Sequence, residues 1–317
     1  MKKLFIIPLF AIALTSCSTN GNPIESKVFC FDTMVDVRLY DGNEDNIKDI
    51  EDILNTYSKL SDNYLASDVN NVYTINHTND EVTIDERLYK LLQTSFSVKD
   101  TGASYFNPFC GSLAKKWKDV LAKGETLSSE VINAELGKIS SSSLEFKANN
   151  VVQRIGEAEI DLGGIAKGYA LDIVKDYLKN NNSKQYLING GSSSLLLGEK
   201  NSKDGFYSIG LKDLNNAYLK LKNCFISTSS ISEQGVKIGD ITYSHIINPN
   251  DGSAINLNDA VVVISDNGAL GDALSTSMMN NTVDEIKAIE TQCNVKTIVI
   301  KNNEVIYQNS GIEVNYH

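Results

Sequence analysis

The sequence predicts a mixed α+β fold in one globular unit, and three observations support this. Hydrophobic residues make up 42% and charged residues 22% of the 317 residues, a composition typical of folded chains. Segments with strand-like alternation and segments with helical spacing follow one another too irregularly for a doubly wound parallel sheet. No internal repeat or low-complexity linker divides the chain after its N-terminal segment. We therefore expect one unit, although length alone would allow two domains of roughly 150 residues each.

Strands and helices are predicted in a definite order. Apolar alternation predicts a strand at 28–40, and apolar residues at helical spacing predict helices at 46–57, 85–98, 113–121 and 128–138. Two short strands within 143–155 precede a helix at 165–179. Strands follow at 185–189, 193–197, 207–211, 217–221, 225–227, 242–246 and 260–264. Helices at 269–279 and 283–292 and strands at 297–300 and 305–307 close the chain.

The charge balance excludes one class of partner. The chain has 29 Lys and Arg residues against 40 Asp and Glu residues, which gives a net charge of −11. Proteins that bind nucleic acid carry a basic face, and binding to anionic lipid through charge needs a polybasic patch. We therefore expect no nucleic-acid partner, and any contact with a membrane must rest on something other than charge.

The N-terminal segment has the pattern of an exported protein. Lys2 and Lys3 precede an apolar run at 4–14, which is too short to span a bilayer but fits a signal peptide. The residues that follow, Leu14-Thr15-Ser16-Cys17, resemble the lipobox of bacterial lipoproteins. That resemblance implies cleavage before Cys17 and acylation of its sulfur, so the protein would be extracytoplasmic and lipid-anchored to the bacterial membrane. The alternative is a plain cleaved signal peptide with an incidental cysteine.

The remaining cysteines do not indicate a metal site. Cys30, Cys110, Cys224 and Cys293 are widely spaced and form no Cys-x-x-Cys pair, so zinc or iron–sulfur ligation is not expected. A chain of this length does not need disulfides for stability, although pairing in an oxidising compartment stays open.

The densest set of chemically useful residues lies between residues 160 and 170. We expect a strand to end at Asp161, Gly163 and Gly164 to allow close approach of the backbone, and a helix to begin with Lys167 in its first turn. Amides at a helix start bind phosphate-like anions, and a lysine there is unfavourable unless an anion faces it. The segment indicates a phosphate site, or alternatively a tight turn with Lys167 in solvent. It has neither the Walker A nor the GxGxxG spacing.

A second candidate site opens a helix near the C-terminus. Asp272, Ser275 and Thr276 are three and four residues apart, so they project from one face of the helix. A carboxylate with hydroxyl oxygens suits Mg²⁺. The alternative, which spacing alone favours, is that Asp272 caps the helix by accepting hydrogen bonds from its amides.

Two further segments place polar residues at strand ends. Asn189-Gly190-Gly191-Ser192 offers a turn where a ligand could approach the backbone, although such turns mostly serve hairpins. His245 is predicted at the end of a strand, and the pKa of histidine suits proton transfer. A lone histidine is nevertheless more often structural than catalytic.

Together these segments resemble the ApbE family, in which they occur in the same order. The motifs are the Asp-Leu-Gly-Gly-Ile-Ala-Lys-Gly-Tyr-Ala run at 161–170, Asn-Gly-Gly at 189–191, Ser-His-Ile-Ile-Asn-Pro at 244–249 and Asp-Ala-Leu-Ser-Thr at 272–276. The likeness includes 31–33, 64–76 and 102–108 and so covers nearly all of the mature chain. It implies a lipoprotein signal peptide at 1–16, a lipidated tether at 17–27 and a single mixed α/β, T-fold-like unit of the ApbE type at 28–317.

The resemblance also implies an activity. Members of the family are FAD:protein FMN transferases, often exported lipoproteins. They cleave the pyrophosphate of FAD with Mg²⁺, release AMP and join FMN through a phosphoester to a Thr or Ser of another protein. The acceptor would be a flavoprotein with a Thr-Gly-Ala-Thr-like motif, such as a membrane-bound electron-transfer subunit.

The motif positions assign roles to individual residues. His245 would assist proton transfer from the acceptor hydroxyl. The metal would be held by the backbone carbonyl of Gly164 with Asp272, Ser275 and Thr276. Contacts with FAD are expected from Phe31, Tyr64, Tyr105, Phe106, Asn107, Asp161, Lys167 and Ile247.

The chain departs from the family's common pattern at three positions. Asn107 and Asn248 stand where many members have Asp, and Ser230 stands where Gly is common. An amide keeps hydrogen-bonding capacity but loses charge, so we expect these changes to affect affinity or rate more than the fold. Two alternatives to the transferase stay open: a Mg²⁺-dependent FAD pyrophosphatase with water as the acceptor, and a flavin-binding or scavenging lipoprotein with little turnover.

Overall fold

An eight-stranded antiparallel sheet runs through the molecule in the computed structural model, which describes residues 22–317. Its strands, in spatial order, are β1 (Ile24–Cys30), β2 (Thr33–Leu39), β6 (Tyr186–Gly190), β7 (Ser194–Leu197), β10 (Cys224–Ser230), β13 (Ala260–Ser265), β14 (Lys296–Lys301) and β15 (Glu304–Gln308). Every neighbouring pair is antiparallel. Cys17 and the signal peptide lie outside the described residues, so the lipid anchor remains a prediction.

The helices and smaller sheets surround this sheet. The helices are α1 (Glu44–Ser61), α2 (Val72–Asn76), α3 (Glu86–Ser97), α4 (Gly111–Leu121), α5 (Ser129–Ser141), α6 (Ala166–Asn180), α7 (Gly268–Met278) and α8 (Val283–Cys293). One three-stranded sheet consists of β3 (Glu81–Thr83), β5 (Val151–Ile155) and β4 (Ser143–Lys147), and another of β8 (Tyr207–Gly210), β9 (Ala217–Leu221) and β16 (Val314–Tyr316). A separate hairpin consists of β11 (Val236–Ile238) and β12 (Ile241–Tyr243).

Both faces of the central sheet are covered by hydrophobic residues. On one face, Val35 and Val263 pack in a large core with residues of α1, α3, α6 and α7. On the other face, Val262 packs in a smaller core with Tyr207 of β8 and Leu219 of β9. The strand β13 is buried along its whole length, which explains its continuous apolar sequence. The predicted α+β class is confirmed.

Two glycines allow α6 and α7 to cross at close range. A β-carbon at Gly168 would lie 2.1 Å from the carbonyl oxygen of Gly268, and one at Gly268 would lie 2.3 Å from the carbonyl oxygen of Gly168. Any larger residue at either position would force the helices apart. The crossing brings the start of α6 beside α7, where the candidate site lies.

Several predicted boundaries are wrong. The strand predicted at 28–40 is the hairpin β1–β2, because Phe31 and Asp32 adopt left-handed conformations, with φ of 51° and 56°, and reverse the chain. The strand β1 begins at Ile24, so the sheet starts before Val28, where we placed the domain boundary. The strand predicted to end at Asp161 is absent, because residues 156–161 form no strand. That segment is held instead by hydrogen bonds from the Asp161 amide to the Pro108 carbonyl and between Asn76 and Ile160.

Within residues 22–317, no helix is both long and apolar enough to cross a bilayer. The four cysteines of this part of the chain, Cys30, Cys110, Cys224 and Cys293, are all free in the structure.

Candidate active site

A cleft of about 400 Å³ opens where the β6–β7 turn, the end of β10 and the starts of α6 and α7 meet. Every site residue predicted from the sequence, apart from Cys17, lines this cleft. These residues are Phe31, Tyr64, Tyr105, Phe106, Asn107, Asp161, Gly164, Lys167, His245, Ile247, Asp272, Ser275 and Thr276. They come from segments far apart in sequence, so the fold itself assembles the cleft.

Asp272 lies on the floor of the cleft and accepts hydrogen bonds from three other elements. Its Oδ2 accepts from the amide of Gly168 at 2.7 Å. Its Oδ1 accepts from the hydroxyl of Ser227 at 2.6 Å, and Ser194 Oγ lies 2.9 and 3.1 Å from the two oxygens. Asp272 therefore caps the first turn of α6. Its own helix begins at Gly268 with Asn267 as the N-cap, so the alternative of Asp272 as a cap of that helix is wrong.

The electrostatic state of Asp272 reflects its burial. With 6% of its surface exposed, burial raises the pKa of its carboxyl above the usual value. The hydrogen bond from Ser227, the charge of Lys167 and the hydrogen bond from Ser194 oppose this rise. A buried carboxylate of this kind is stabilised further by any cation that reaches it.

The oxygen atoms around Asp272 fit Mg²⁺. A carboxylate offers about four acceptor positions, and three donors occupy those of Asp272, so capacity for a cation remains. The hydroxyls of Ser275 and Thr276 lie 3.0 and 3.5 Å from Ser229 Oγ, and a β-carbon at Gly164 would lie 3.0 Å from Thr276 Oγ1. No group of three His, Cys, Asp or Glu in residues 22–317 is arranged for a metal. One carboxylate with neutral oxygens and ligand phosphates is, however, a set that Mg²⁺ accepts.

Lys167 projects from the first turn of α6 into the cleft. Its ammonium donates to Ser193 Oγ at 2.5 Å, and its charge affects the pKa of Asp272, Glu233 and His245. The unfavourable position of a lysine at a helix start is thus offset by carboxylates. The alternative of a tight turn with Lys167 in solvent is not what the structure shows. The Gly168 amide is already occupied by Asp272, so an anionic ligand would meet the Lys167 ammonium rather than that amide.

Asp161 and the glycines form a tight turn before α6. The Oδ1 atom of Asp161 accepts a hydrogen bond from the amide of Gly163 at 2.7 Å. A β-carbon at Gly164 would come within 3.1 Å of the Phe106 ring. The glycine at this position therefore allows the backbone to lie directly against the ring and Thr276.

His245 follows β12 and faces the cleft. Its side chain is exposed to solvent, although the protein atoms around the cleft partly desolvate the ring. This desolvation, and then the positive charge of Lys167, lowers its pKa to about 4. The imidazole is therefore neutral near pH 7, and a neutral imidazole can accept a proton. Among the described residues, none hydrogen-bonds to the ring.

Aromatic residues line another wall of the cleft. The amide of Phe31 donates to Ser58 Oγ at 2.7 Å, and the amide of Tyr105 donates to Ser277 Oγ at 3.0 Å. Tyr64 is 45% exposed, and the ammonium groups of Lys115 and Lys118 lie 4.9 and 5.0 Å from its ring centroid. These rings could stack on a planar ligand.

The chain matches the model of a known protein family over most of its length. The model of the ApbE family matches residues 31–299, a range that includes every residue of the cleft described above. The chain belongs to the ApbE family.

Curated relatives and solved structures agree with this assignment. A FAD:protein FMN transferase of Klebsiella pneumoniae (strain 342) is 27% identical over 300 residues, which are 90% of this chain and 88% of that protein. One of Rhodobacter capsulatus is 26% identical over 68% of this chain and 42% of that protein. The crystal structure of the ApbE protein of Thermotoga maritima has a TM-score of 0.73 at 21% identity, covering 93% of this chain and 96% of that one. The flavin transferase ApbE of Vibrio cholerae has a TM-score of 0.72 at 17% identity, with the same coverages. These structures establish an ApbE fold.

The three departures from the common ApbE pattern each have a structural partner. Asn107 Oδ1 accepts from the amide of Phe109 at 3.0 Å and caps a short 3₁₀ turn. Asn248 Oδ1 accepts from the amide of Asn250 at 2.9 Å. Ser230 Oγ donates to Asp213 Oδ1 at 2.8 Å. An amide or hydroxyl suffices for each of these contacts, which agrees with the expectation that the fold tolerates them.

Sequence reasoning missed several residues in and directly beneath this ApbE cleft. They are Ser193, which accepts from Lys167; Ser194 and Ser227, which donate to Asp272; and Glu233, which lines the cleft. Hydroxyl-rich runs at 192–194 and 227–230, at the ends of otherwise apolar strands, were the available signal for the serines. Nothing in the local sequence singled out Glu233.

Proposed function

We propose that this protein transfers FMN from FAD to a Thr or Ser hydroxyl of an acceptor flavoprotein and releases AMP. The observation that supports it most is the shared cleft, in which the Asp272 carboxylate, the Lys167 ammonium and the neutral His245 imidazole face one space. The names of the ApbE relatives, FAD:protein FMN transferase, agree with this chemistry.

In this proposal the cleft holds FAD by its diphosphate and its rings. The Lys167 ammonium pairs with a diphosphate oxygen, since it is the cation that projects from the start of α6. The cleft is also lined by Asp161 and the backbone at Gly164. The rings of FAD lie against a wall formed by six residues: Phe31, Tyr64, Tyr105, Phe106, Asn107 and Ile247. Asp272, Ser275, Thr276 and the carbonyl of Gly164 would hold Mg²⁺. When bound, Mg²⁺ supplies positive charge against the diphosphate as a Lewis acid and template.

His245 is the base in the transfer step. The acceptor hydroxyl oxygen forms a bond to the phosphorus of the FMN half of FAD, and its proton passes to the neutral imidazole. The bond from that phosphorus to the bridging oxygen breaks, and AMP leaves with the electron pair. Lys167 stabilises the negative charge that accumulates on the leaving phosphate. A base must lie within about 3 Å of the hydroxyl or one water away, so the acceptor threonine must enter the cleft beside His245.

We infer that the acceptor is a flavoprotein and that the transfer takes place at the membrane surface. An acceptor with a Thr-Gly-Ala-Thr-like segment, such as a membrane-bound electron-transfer subunit, would meet this protein at the membrane surface if Cys17 carries lipid. Replacement of Cys17 by Ser should then move the protein from the membrane fraction to the soluble fraction of cells.

The transferase is tested by covalent labelling of an acceptor. Mature protein incubated with FAD, Mg²⁺ and a domain that carries Thr-Gly-Ala-Thr should give a fluorescent band that survives SDS. Asp272→Ala should abolish the band. Asp266→Ala, at an exposed position between β13 and α7, should not. FMN and AMP released without a labelled acceptor would indicate the pyrophosphatase, and FAD retained without AMP would indicate a binding protein.

A further inference from the structure

Glu233 is an ionisable residue of the cleft to which the proposed function gives no role. Glu233 lies between β10 and the β11–β12 hairpin and lines the same cleft as His245 and Lys167. We propose that the Glu233 carboxylate binds the hydroxyl-bearing segment of the acceptor protein beside His245, and that Asp213 is the residue that positions Glu233. This inference rests on the transferase function proposed above.

Asp213 fixes the turn that carries Glu233. Its Oδ1 accepts a hydrogen bond from Ser230 Oγ at 2.8 Å and another from Ser232 Oγ at 2.6 Å. The two hydroxyls lie 2.9 Å apart, and the amide of Ser232 donates to Ser230 Oγ at 3.0 Å. Ser230 is 2% exposed, so one end of this network is anchored in the protein interior. The network restricts the backbone immediately before Glu233.

The β11–β12 hairpin places Glu233 and His245 at the same end. Val236 pairs with Tyr243 at the open end of the hairpin. Glu233 precedes this pair by three residues and His245 follows it by two, so both leave the hairpin at its base, and both line the cleft. On the wall formed by 228–247, Glu233 and His245 are the ionisable residues that line the cleft.

The charges around Glu233 indicate what it can bind. Burial raises the pKa of its carboxyl, whereas Lys212 and Lys167 lower it and Asp213 raises it. The Lys212 ammonium lies 4.0 Å from Glu233 Oε1 and is mostly exposed, so the pair leaves the carboxylate free to accept other hydrogen bonds. A carboxylate repels the diphosphate of FAD and attracts N–H and O–H donors. The backbone amides and hydroxyls of a Thr-Gly-Ala-Thr-like segment are donors of this kind.

Glu233→Gln tests the binding role with little change in shape. A hydrogen bond to a charged group contributes roughly tenfold or more to binding. We expect the KM for the acceptor to rise about tenfold, while the KM for FAD stays within about twofold of the wild-type value. Glu304→Gln, at an exposed position on β15, is the matched control and should change neither constant. An unchanged KM for the acceptor, or an equal rise in both constants, would overturn the proposal.

A double-mutant cycle tests whether Asp213 acts through Glu233. Asp213→Ala removes the acceptor of both serine hydroxyls and should raise the KM for the acceptor several-fold. Asp213→Asn keeps an oxygen there and should restore most of the affinity. Asp213→Ala combined with Glu233→Gln should bind the acceptor no worse than Glu233→Gln alone, because coupled residues give non-additive effects. Additive losses would show that Asp213 does not position Glu233.

Acceptor labelling by the wild-type protein distinguishes a failure of the role proposed for Glu233 from a failure of the transferase function. If wild-type protein labels no acceptor, the transferase proposal fails and the role of Glu233 fails with it. If wild-type protein labels the acceptor and Glu233→Gln does so with an unchanged KM, only the present inference fails. Asp240→Ala, at the exposed tip of the same hairpin, controls for general effects on the hairpin and should match wild type.

Discussion

The carboxylate of Asp272 accepts a hydrogen bond from the backbone amide of Gly168 at 2.7 Å. This contact joins α7 to the first turn of α6, and it depends on the absence of a side chain at Gly168. The same carboxylate is the candidate Mg²⁺ ligand. The position of the proposed metal site is therefore set by the packing of two helices, and a change in that packing should affect stability and activity together.

Gly168→Ala should separate α6 from α7. The added β-carbon would lie 2.1 Å from the Gly268 carbonyl oxygen and 2.8 Å from Asp272 Cγ, so backbone must move. We expect the free energy of unfolding, measured with urea, to fall by roughly 1–3 kcal/mol, with a loss of transfer activity. Gly137→Ala is the control, because nothing lies within 4 Å of its β-carbon, and alanine at this helical position should stabilise the protein by up to about 1 kcal/mol. Equal effects of the two substitutions would contradict the account.

Lys167→Met should weaken the binding of FAD. The substitution keeps the apolar stem and removes the charge that faces the diphosphate, so the Kd for FAD, measured by fluorescence titration, should rise roughly tenfold or more. Lys179→Met removes a charge from an exposed position in the last turn of the same helix and should leave the Kd unchanged. A Lys167→Met protein that binds FAD normally would show that the ammonium does not meet the diphosphate.

The pH dependence of the transfer should show an unusually acidic His245. The pKa of His245 is lowered to about 4, so the base form predominates at every pH above about 4, and only below that does protonation remove it. The acid limb of kcat/KM should therefore lie near pH 4. Because Lys167 contributes to the lowering, Lys167→Met should move the limb to higher pH. A limb near pH 6.5, the ordinary value for histidine, would show that the ring is not desolvated in the free enzyme.

Asp172 should make stability depend on pH in the opposite sense to a typical carboxylate. It accepts hydrogen bonds from the amides of Gly268 and Ala269 at 2.7 and 2.8 Å, yet burial raises its pKa to about 6 from the usual 3.8. The folded state thus binds the proton more tightly than the unfolded state. The stability that this gives is complete below about pH 4 and is lost as pH rises through 6.

Asp172→Asn isolates this effect. The difference in free energy of unfolding, wild type minus Asp172→Asn, should decrease as pH rises from 4 to 7. The measurement is a series of urea denaturations across that range. A difference that stays constant, or that increases with pH, would contradict the raised pKa.

The sequence predicted the members of the cleft better than the contacts between them. The motif segments carry the resemblance to the family, and the site residues that they suggested line one cleft. The partners of Asp272, however, are Gly168, Ser194 and Ser227, which lie 45 to 104 residues away in sequence. Periodicity reports only neighbours along one element, so it suggested that Asp272 caps its own helix when it caps another.

The bounds of the first strand were also mispredicted, because the backbone conformation of two residues could not be read from the apolar pattern. Apolar alternation on both sides of Phe31 suggested one long strand, whereas Phe31 and Asp32 adopt left-handed conformations and turn the chain. Aspartate is a common turn residue and tolerates this conformation, but phenylalanine is not a turn residue, so the apolar alternation outweighed the signal at Asp32. The hydrogen bonds from Ser230 and Ser232 to Asp213 join segments that are 17 and 19 residues apart in sequence. Glu233 could be recognised as a site residue only from the structure, in which it lines the cleft beside the hairpin.

The ratio of acceptor-bound flavin to released AMP tests the central claim most directly. Both products are measured in one reaction that contains mature protein, FAD, Mg²⁺ and a Thr-Gly-Ala-Thr acceptor domain, with Asp272→Ala run in parallel. The account predicts one acceptor-bound FMN for each AMP and neither product from the variant. AMP formed together with free FMN and an unmodified acceptor would contradict it.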